Sequence, residues 1–495
     1  MFDMTQNVKT GTIKPLHTVI GVGAAKKGGR GIEALKAKLR RLARAAKISN
    51  PLILAPWTIP SAWAISTVVY QGEVRSNGGS WYVCIVAGTT ASSGGGPSVT
   101  TNGDRIADGT AYWTYLGPAE ITANDSRAPS LTITTTNPVG TLGLKFAPVD
   151  YPGVYRAYGG TPVTRSGTGW QLNTFNKAAA TVQSNSAKVA FRCDGNQVAI
   201  QILANMGIVR FLIDGRYYNP TSYTPGASDT WFIFDFTNNG GRRMRDFVIE
   251  GSVSALWFAA VRCATIDNVM PPTTADDVRA IFISDSIWAG STPGPYLAGG
   301  SAPSRIAKWL GWSDPWNMST PGSGYLNTVS NTVYTFGQRI ADSGNAAIIA
   351  TADIILLKGS TNDIGYGGGN SDAAVTAAVT AALTALRALN DHAPIIVFGL
   401  KPTSNAGVPG TETAVHAGVT AFSDPIGQTV FIPLYGNSPL PQITGSWNNS
   451  ANTSSANNVM YIAAYDGVHG ADIGTAYEAQ WEADAIRTQF LGLDS

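Results

Sequence analysis

Near residue 273 the chain changes rhythm. Upstream, β-like runs follow one another with only turns between them; downstream, "VRAIFIS", "ADIILLKGS", "APIIVFGL" and "TVFIPLY" are each separated by helical or long polar segments. The Ala-rich "SDAAVTAAVTAALTALRAL" and the terminal "AYEAQWEADAIRTQFL" are the clearest helices. Apolar strands alternating with helices predict a parallel sheet covered on both faces, whose ligands sit beyond the carboxyl ends of the strands. The expected fold class is therefore multidomain: a small β module and a β-sandwich, followed by an α/β domain over residues 273–495 with a parallel sheet covered by helices.

At 495 residues the chain exceeds what one core usually supports. Residues 1–50 carry "GVGAAKKGGRG" and then "IEALKAKLRRLARAAK", where Ile32, Leu35, Leu39 and Leu42 recur at helical spacing amid Lys and Arg. This basic amphipathic helix is read as an attachment segment; such a helix also suits docking onto a partner subunit or its own oligomer, or onto membrane or nucleic acid. Residues 51–118 spread Trp57, Trp63, Tyr70, Trp81, Tyr82, Trp113 and Tyr115 through short β-like runs. Residues 119–272 hold "AKVAFRC", "QVAIQIL", "IVRFLIDGRYY", "TWFIFDFT", "DFVIEG" and "ALWFAAVRC", with turns at Asp194-Gly195 and Asp214-Gly215, the pattern of a β-sandwich.

Composition removes several function classes. Apolar residues make up 44% and charged residues 13%, with 55 glycines, as in a packed, loop-rich, β-heavy protein. A net charge of +2 gives no broad electrostatic case for nucleic acid or an anionic membrane. Cys84, Cys193 and Cys263 show no zinc-like spacing, and Cys193 and Cys263 are either a pair or buried thiols. No uninterrupted apolar run reaches the roughly 18 residues of a membrane span, and "MFDMTQNVKTGTIKPLH" lacks a charged-then-apolar leader. Gly94 to Gly96 are followed by neither Lys nor a helix, which argues against a phosphate loop.

Three polar sets fall at strand ends: "SDSI", "STNDIG" and "YDGVHG". A serine nucleophile needs a base, a group to orient that base, and donors for the oxyanion. Ser286 is the candidate nucleophile, with a helix N-cap as its plainer role. Of the four histidines, His17 lies in the N-terminal arm, His392 at a helix-to-strand joint and His416 in a helix. That leaves His469 at the right end of the sheet, three residues after Asp466, so one loop presents both side chains. Asp and His at that distance also recur by chance and cap helices.

The order of "IFISDSIWAG", "NMSTPGSGYLN", "LLKGSTNDIG" and "DGVHG" resembles the SGNH, or GDSL, hydrolase family over nearly the whole last region. The resemblance implies a serine esterase without metal or organic cofactor, with Ser286 as nucleophile, His469 as base and Asp466 orienting it. It implies an oxyanion hole of the Ser286 amide, the Gly324 amide and the Asn362 side chain, with Gly322 as the alternative to Gly324. Two departures touch backbone freedom: Ser284 stands where the family has Gly, and Ser360 where it has the Gly of Gly-x-Asn-Asp, Gly359 coming one position earlier. Gly470 replaces a common Pro. Asp285 and Asp363 are expected to bond loop amides, and Trp288 to pack.

The aromatic module resembles small carbohydrate-binding modules related to chitin-binding domains, which makes Trp57, Trp63, Tyr70, Trp81 and Trp113 candidate sugar contacts and a plain aromatic core the rival reading. Several carbohydrate esterases of the resembled family carry a β-sandwich ahead of the hydrolase domain, so the implied substrate is an O-acetylated polysaccharide. The whole arrangement resembles the spikes and tail fibres of bacteriophages and phage-like particles. That likeness implies a virion protein as partner of the N-terminal segment, action at the host cell surface, and a trimer. A non-catalytic glycan receptor-binding protein and a lipase or thioesterase on the same fold are the alternatives.

Overall fold

Strands Arg279–Ile283, Asp314–Asn317, Ile354–Lys358, Ile395–Phe398 and Thr429–Ile432 form one five-stranded sheet, and every pairing in it is parallel. They belong to a computed structural model that describes residues 30–49, 61–69, 73–100, 105–118, 128–165, 169–173, 187–204, 208–218, 223–251, 255–273, 276–289, 301–328, 334–359, 361–364, 371–401, 409–434, 469 and 472–493. In sequence order the strands lie 2-1-3-4-5. The order reverses at the first strand, so a topological switch point falls between the first and third, where open α/β sheets bind ligands. The second strand, "DPWN", is four residues long and carries no apolar run.

One face of this sheet packs against helices Ala302–Leu310 and Asp472–Ala485, and the other against Asp372–Leu389 and Pro409–Phe422. The helix Asp372–Leu389 is long and apolar enough to cross a bilayer by length and composition. Its Val375, Val379, Leu383 and Leu386 are instead buried over Ile355 and Val397, and Arg387 pairs with Asp424 at 2.9 Å.

Upstream, two antiparallel sheets face each other across a core containing Phe191, Phe211, Phe232, Phe234, Phe247 and Phe258. This is the expected sandwich, and the six quoted runs all supply strands to it. Asp214 and Gly215 both have positive φ, 51° and 80°, which closes the hairpin Val209–Ile213 to Arg216–Tyr217 in the turn sense that matches strand twist. Cys193 and Cys263 are buried free thiols in that core, and Cys84 is a buried free thiol of the small module.

The small module corrects part of the sugar-contact expectation. Trp81 and Trp113 are 2% and 0% exposed, and Trp113 packs in a core with Tyr82, Cys84 and Val69, so neither ring can offer a face to a sugar. Trp63 is half-buried: its indole N–H donates to Asp108 Oδ2 at 2.7 Å, and Trp113 donates to the same oxygen at 2.9 Å. Gly96 lies against one face of Trp63, where a Cβ would come within 2.6 Å of the ring. In so small a domain the largest side chains are needed for burial. Trp57 and Tyr70 lie outside the described residues.

The basic helix, Arg30–Ser49, lies on the α/β domain of its own chain. Leu39 and Ala43 are fully buried in the same core as Ile306, Leu310, Ile486 and Leu491, and Gly311 sits beneath Leu42. Its cations hold the same surface: Lys38 donates to the Asp277 carbonyl at 2.7 Å, Arg40 to the Leu491 carbonyl at 2.7 Å, and Arg41 pairs with Asp276. The amphipathic face read as a means of attachment is therefore covered within the chain.

The sandwich meets the α/β domain through buried charge. Glu250, fully buried, lies 3.4 Å from Lys188, 3.6 Å from Arg210 and 3.8 Å from Lys308 of helix Ala302–Leu310, and accepts from the Tyr217 hydroxyl at 2.9 Å. Burial opposes its charge, but Lys308, Lys188 and Arg210 together outweigh that and bring its carboxyl down to about 2. Nearby, the Gly159 amide donates to Asp314 Oδ1 at 2.7 Å.

Candidate active site

Ser286 follows the first strand of the parallel sheet and opens a four-residue helix, Ser286–Ala289. The preceding Asp285 shapes this turn: its Oδ1 accepts from the Ile287 amide at 2.9 Å and its carbonyl from the Ala289 amide at 3.1 Å. Asp285 is buried and burial pushes its carboxyl up, so it is a shaping group at the foot of the site. Ser286 itself is partly exposed while the residues on either side are buried. His469, also partly exposed, places Nε2 2.7 Å from Ser286 Oγ, across 183 residues of sequence. This is hydrogen-bond distance for proton transfer between a hydroxyl and an imidazole. Asp466 and Gly470 lie outside the described residues.

The other histidines are elsewhere. His392 is exposed beside Asp391, and His416 stacks on Phe431 with ring centroids 4.5 Å apart. His17 lies outside the described residues.

The loops after the second and third strands meet at Asp363. Its carboxylate is buried and accepts three consecutive amides, from Tyr325 at 2.9 Å, Leu326 at 2.9 Å and Asn327 at 2.8 Å. Gly324 lies so close that a Cβ there would stand 2.4 Å from Asp363 Oδ1, which explains the glycine. Its single N–H donates to the Asn327 carbonyl at 3.1 Å, so the Gly324 amide is engaged within its own loop, contrary to the open donor expected of it. Gly322, the alternative, has φ 74° and its carbonyl accepts from Asn327 Nδ2. Asn362 lies on the same short helix as Asp363, Thr361–Ile364, and donates one Nδ2 hydrogen to the Ser323 carbonyl at 2.9 Å. A primary amide carries a second hydrogen.

The serine at 284 causes no backbone strain. The described non-glycine residues with positive φ are Ser66, Asp214 and Ser423, so Ser284 has an ordinary conformation. Gly359 is needed for packing, since a Cβ there would meet the Phe336 ring at 2.4 Å. Ser360 lies outside the described residues.

Sequence reasoning passed over a layer of buried ions beneath these loops. Arg339 donates to the Ser284 and Met318 carbonyls and to Ser323 Oγ, tying the ends of the first two strands together. Lys358, the last residue of the third strand, donates to both Glu478 and Glu482. Glu478 also pairs with Lys401 at 3.0 Å, and Glu482 accepts from the Trp288 indole at 3.0 Å. Burial raises both carboxyls; two lysines outweigh it at Glu478 and bring that group down, while Glu482, with one lysine and Glu478 beside it, stays raised. Trp288 is fully buried between Phe282 and Phe398, as expected of packing. A lysine closing the apolar run "IILLK" was the available signal, because lysine is almost never fully buried unless paired.

No protein-family model and no curated protein matches the sequence. Solved structures do. An acetyl xylan esterase, Est2A, from the rumen bacterium Butyrivibrio proteoclasticus is 15% identical, with a TM-score of 0.50 over 70% of this chain and 98% of its own. A salicylyl-acyltransferase, SsfX3, from a tetracycline biosynthetic pathway is 12% identical, with a TM-score of 0.49 over 70% and 97%. A family two carbohydrate esterase from Clostridium thermocellum, in complex with cellohexaose, is 14% identical, with a TM-score of 0.46 over 68% and 98%. At 15% identity what Est2A shares with this chain is fold, and the share of this chain that it spans is larger than residues 273–495 alone make up.

Proposed function

We propose that this chain is a serine esterase that removes O-acetyl groups from a carbohydrate. The observation that carries the reading is the 2.7 Å approach of His469 Nε2 to Ser286 Oγ at the switch point of a parallel sheet. In this reading Ser286 attacks the ester carbonyl as His469 takes its proton. His469 then returns that proton to the leaving alkoxide, and water hydrolyses the acyl-enzyme through the same base. Asp466 is assigned the orienting role. The oxyanion is assigned to the Ser286 amide and the second hydrogen of Asn362 Nδ2, with Gly322 or Gly324 completing the hole once substrate is bound; one such donor is typically worth about a hundred- to a thousandfold in rate.

The acetylated carbohydrate follows from the fold shared with Est2A, an acetyl xylan esterase, and from a sandwich ahead of the hydrolase domain. A setting on a phage-like particle rests on the order of segments in the sequence. The test is release of p-nitrophenol from p-nitrophenyl acetate, and of acetate from acetylated polysaccharides, by the wild type and Ser286→Ala. Loss of about three orders of magnitude in the folded variant is expected. Equal rates in both proteins, on the small ester and on every glycan, would sink the reading, and octanoate preferred over acetate would move it to a lipase.

A further inference from the structure

The buried ions beneath the site join the three chain segments on which the proposed chemistry depends. Trp288 is on the short helix that begins with Ser286, and its carbonyl accepts from Asn317 at the end of the second strand, at 2.8 Å. Lys358 ends the strand that leads to Asn362. Glu478 and Glu482 are one turn apart on helix Asp472–Ala485, which starts three residues after His469. Two lysines, Lys358 and Lys401, face two acids, Glu478 and Glu482, almost wholly out of water.

Apolar side chains of similar size would fill this space at least as stably, because buried ion pairs seldom repay their desolvation. What ions add is direction. Both oxygens of Glu482 are taken, Oε1 by the Lys358 ammonium and Oε2 by the Trp288 indole, so the helix behind His469 is fixed in orientation against the helix that presents Ser286. We propose that Glu482 is a positioning residue for the Ser286 and His469 pair, its carboxylate bridging Lys358 and Trp288 so that the nucleophile helix and the helix following His469 keep their spacing. The kinetic consequence rests on the esterase reading; the geometric one does not.

The test uses the full chain with three changes. Trp288→Phe removes the indole N–H and keeps a ring. Glu482→Gln removes the charge and keeps an acceptor for the indole. The double change Lys358→Met with Glu482→Met removes opposite charges together and leaves Lys401 paired with Glu478. Circular dichroism establishes folding, and turnover of p-nitrophenyl acetate gives kcat and KM. Imidazole 15N resonances, with His469 assigned from His469→Ala and its contact from Ser286→Ala, report the pair without turnover.

A misplacement of about 1 Å can cost on the order of a hundredfold. The double variant is therefore expected to lose about tenfold or more in kcat with KM within about twofold, and all three variants to move the His469 resonance toward its position in Ser286→Ala, Glu482→Gln least. A His469 resonance unchanged in folded Trp288→Phe or in the double variant overturns the proposal, whatever kcat does. So does a kcat within about twofold of wild type. Should the wild type show no Ser286-dependent turnover, the esterase reading fails, and the resonance alone decides the bridge.

Discussion

Two clusters of buried charge, built from the same residue types, hold different things. At the seam, Glu250 of the sandwich gathers Lys188, Arg210 and Lys308 and joins two domains. Beneath the site, Lys358 and Lys401 face Glu478 and Glu482 within one domain and join three loops. The seam cluster has one carboxylate among three cations, all of them within 4 Å of that acid. The site cluster has two acids for two lysines, and removing Lys358 and Glu482 together leaves Lys401 paired with Glu478. Their difference follows from topology: antiparallel strands return at both ends of a sandwich, whereas parallel strands all end on one side, and only there can several loops and the ions under them converge.

The largest effect outside the site is expected from breaking the seam. Glu250→Ala leaves the buried Lys188 and Arg210 and the half-buried Lys308 without their acid and should cost about 3 to 5 kcal/mol. Urea unfolding measures it, and activity on p-nitrophenyl acetate of the fraction still folded should stay close to wild type; loss of turnover there would erase the contrast between the clusters. The same acid predicts a pH dependence. Its folded value lies below its ordinary one, so its contribution is fully present above the ordinary value of 4.5 and lost as pH falls toward about 2. The midpoint of unfolding should therefore fall with pH across that window in wild type and more shallowly in Glu250→Gln.

Next in size is the basic helix. Leu39→Ala opens a space in the core shared with Leu310 and Leu491 and should cost about 2 to 4 kcal/mol by thermal unfolding. An unchanged melting temperature would mean that the helix is held by its cations alone. Arg41→Ala should be the smallest change: its partner Asp276 is exposed, both side chains are screened by water, and no shift in melting temperature is expected.

The parallel sheet was legible because four of its five strands come from the apolar runs "VRAIFIS", "ADIILLKGS", "APIIVFGL" and "TVFIPLY". The second strand, "DPWN", carries no apolar run, and its place is set by its neighbour, Arg279 pairing with Asp314. The module shows the opposite limit: aromatic spacing cannot say which way a ring faces, and Trp81 and Trp113 face inward. The helical periodicity of residues 32–42 predicted a covered face and could not predict what covers it.

The sequence by itself determined the secondary-structure periods, the change from strand runs to alternation near residue 273, and the residue types available at strand ends. These are local properties, set by neighbours along the chain. Only the tertiary structure decided that His469 comes within 2.7 Å of Ser286, that the Gly324 amide bonds Asn327, and that lysines and glutamates more than 70 residues apart share one buried cluster. Those contacts join residues far apart in sequence, and their strength depends on exclusion of water, which a one-dimensional pattern does not contain.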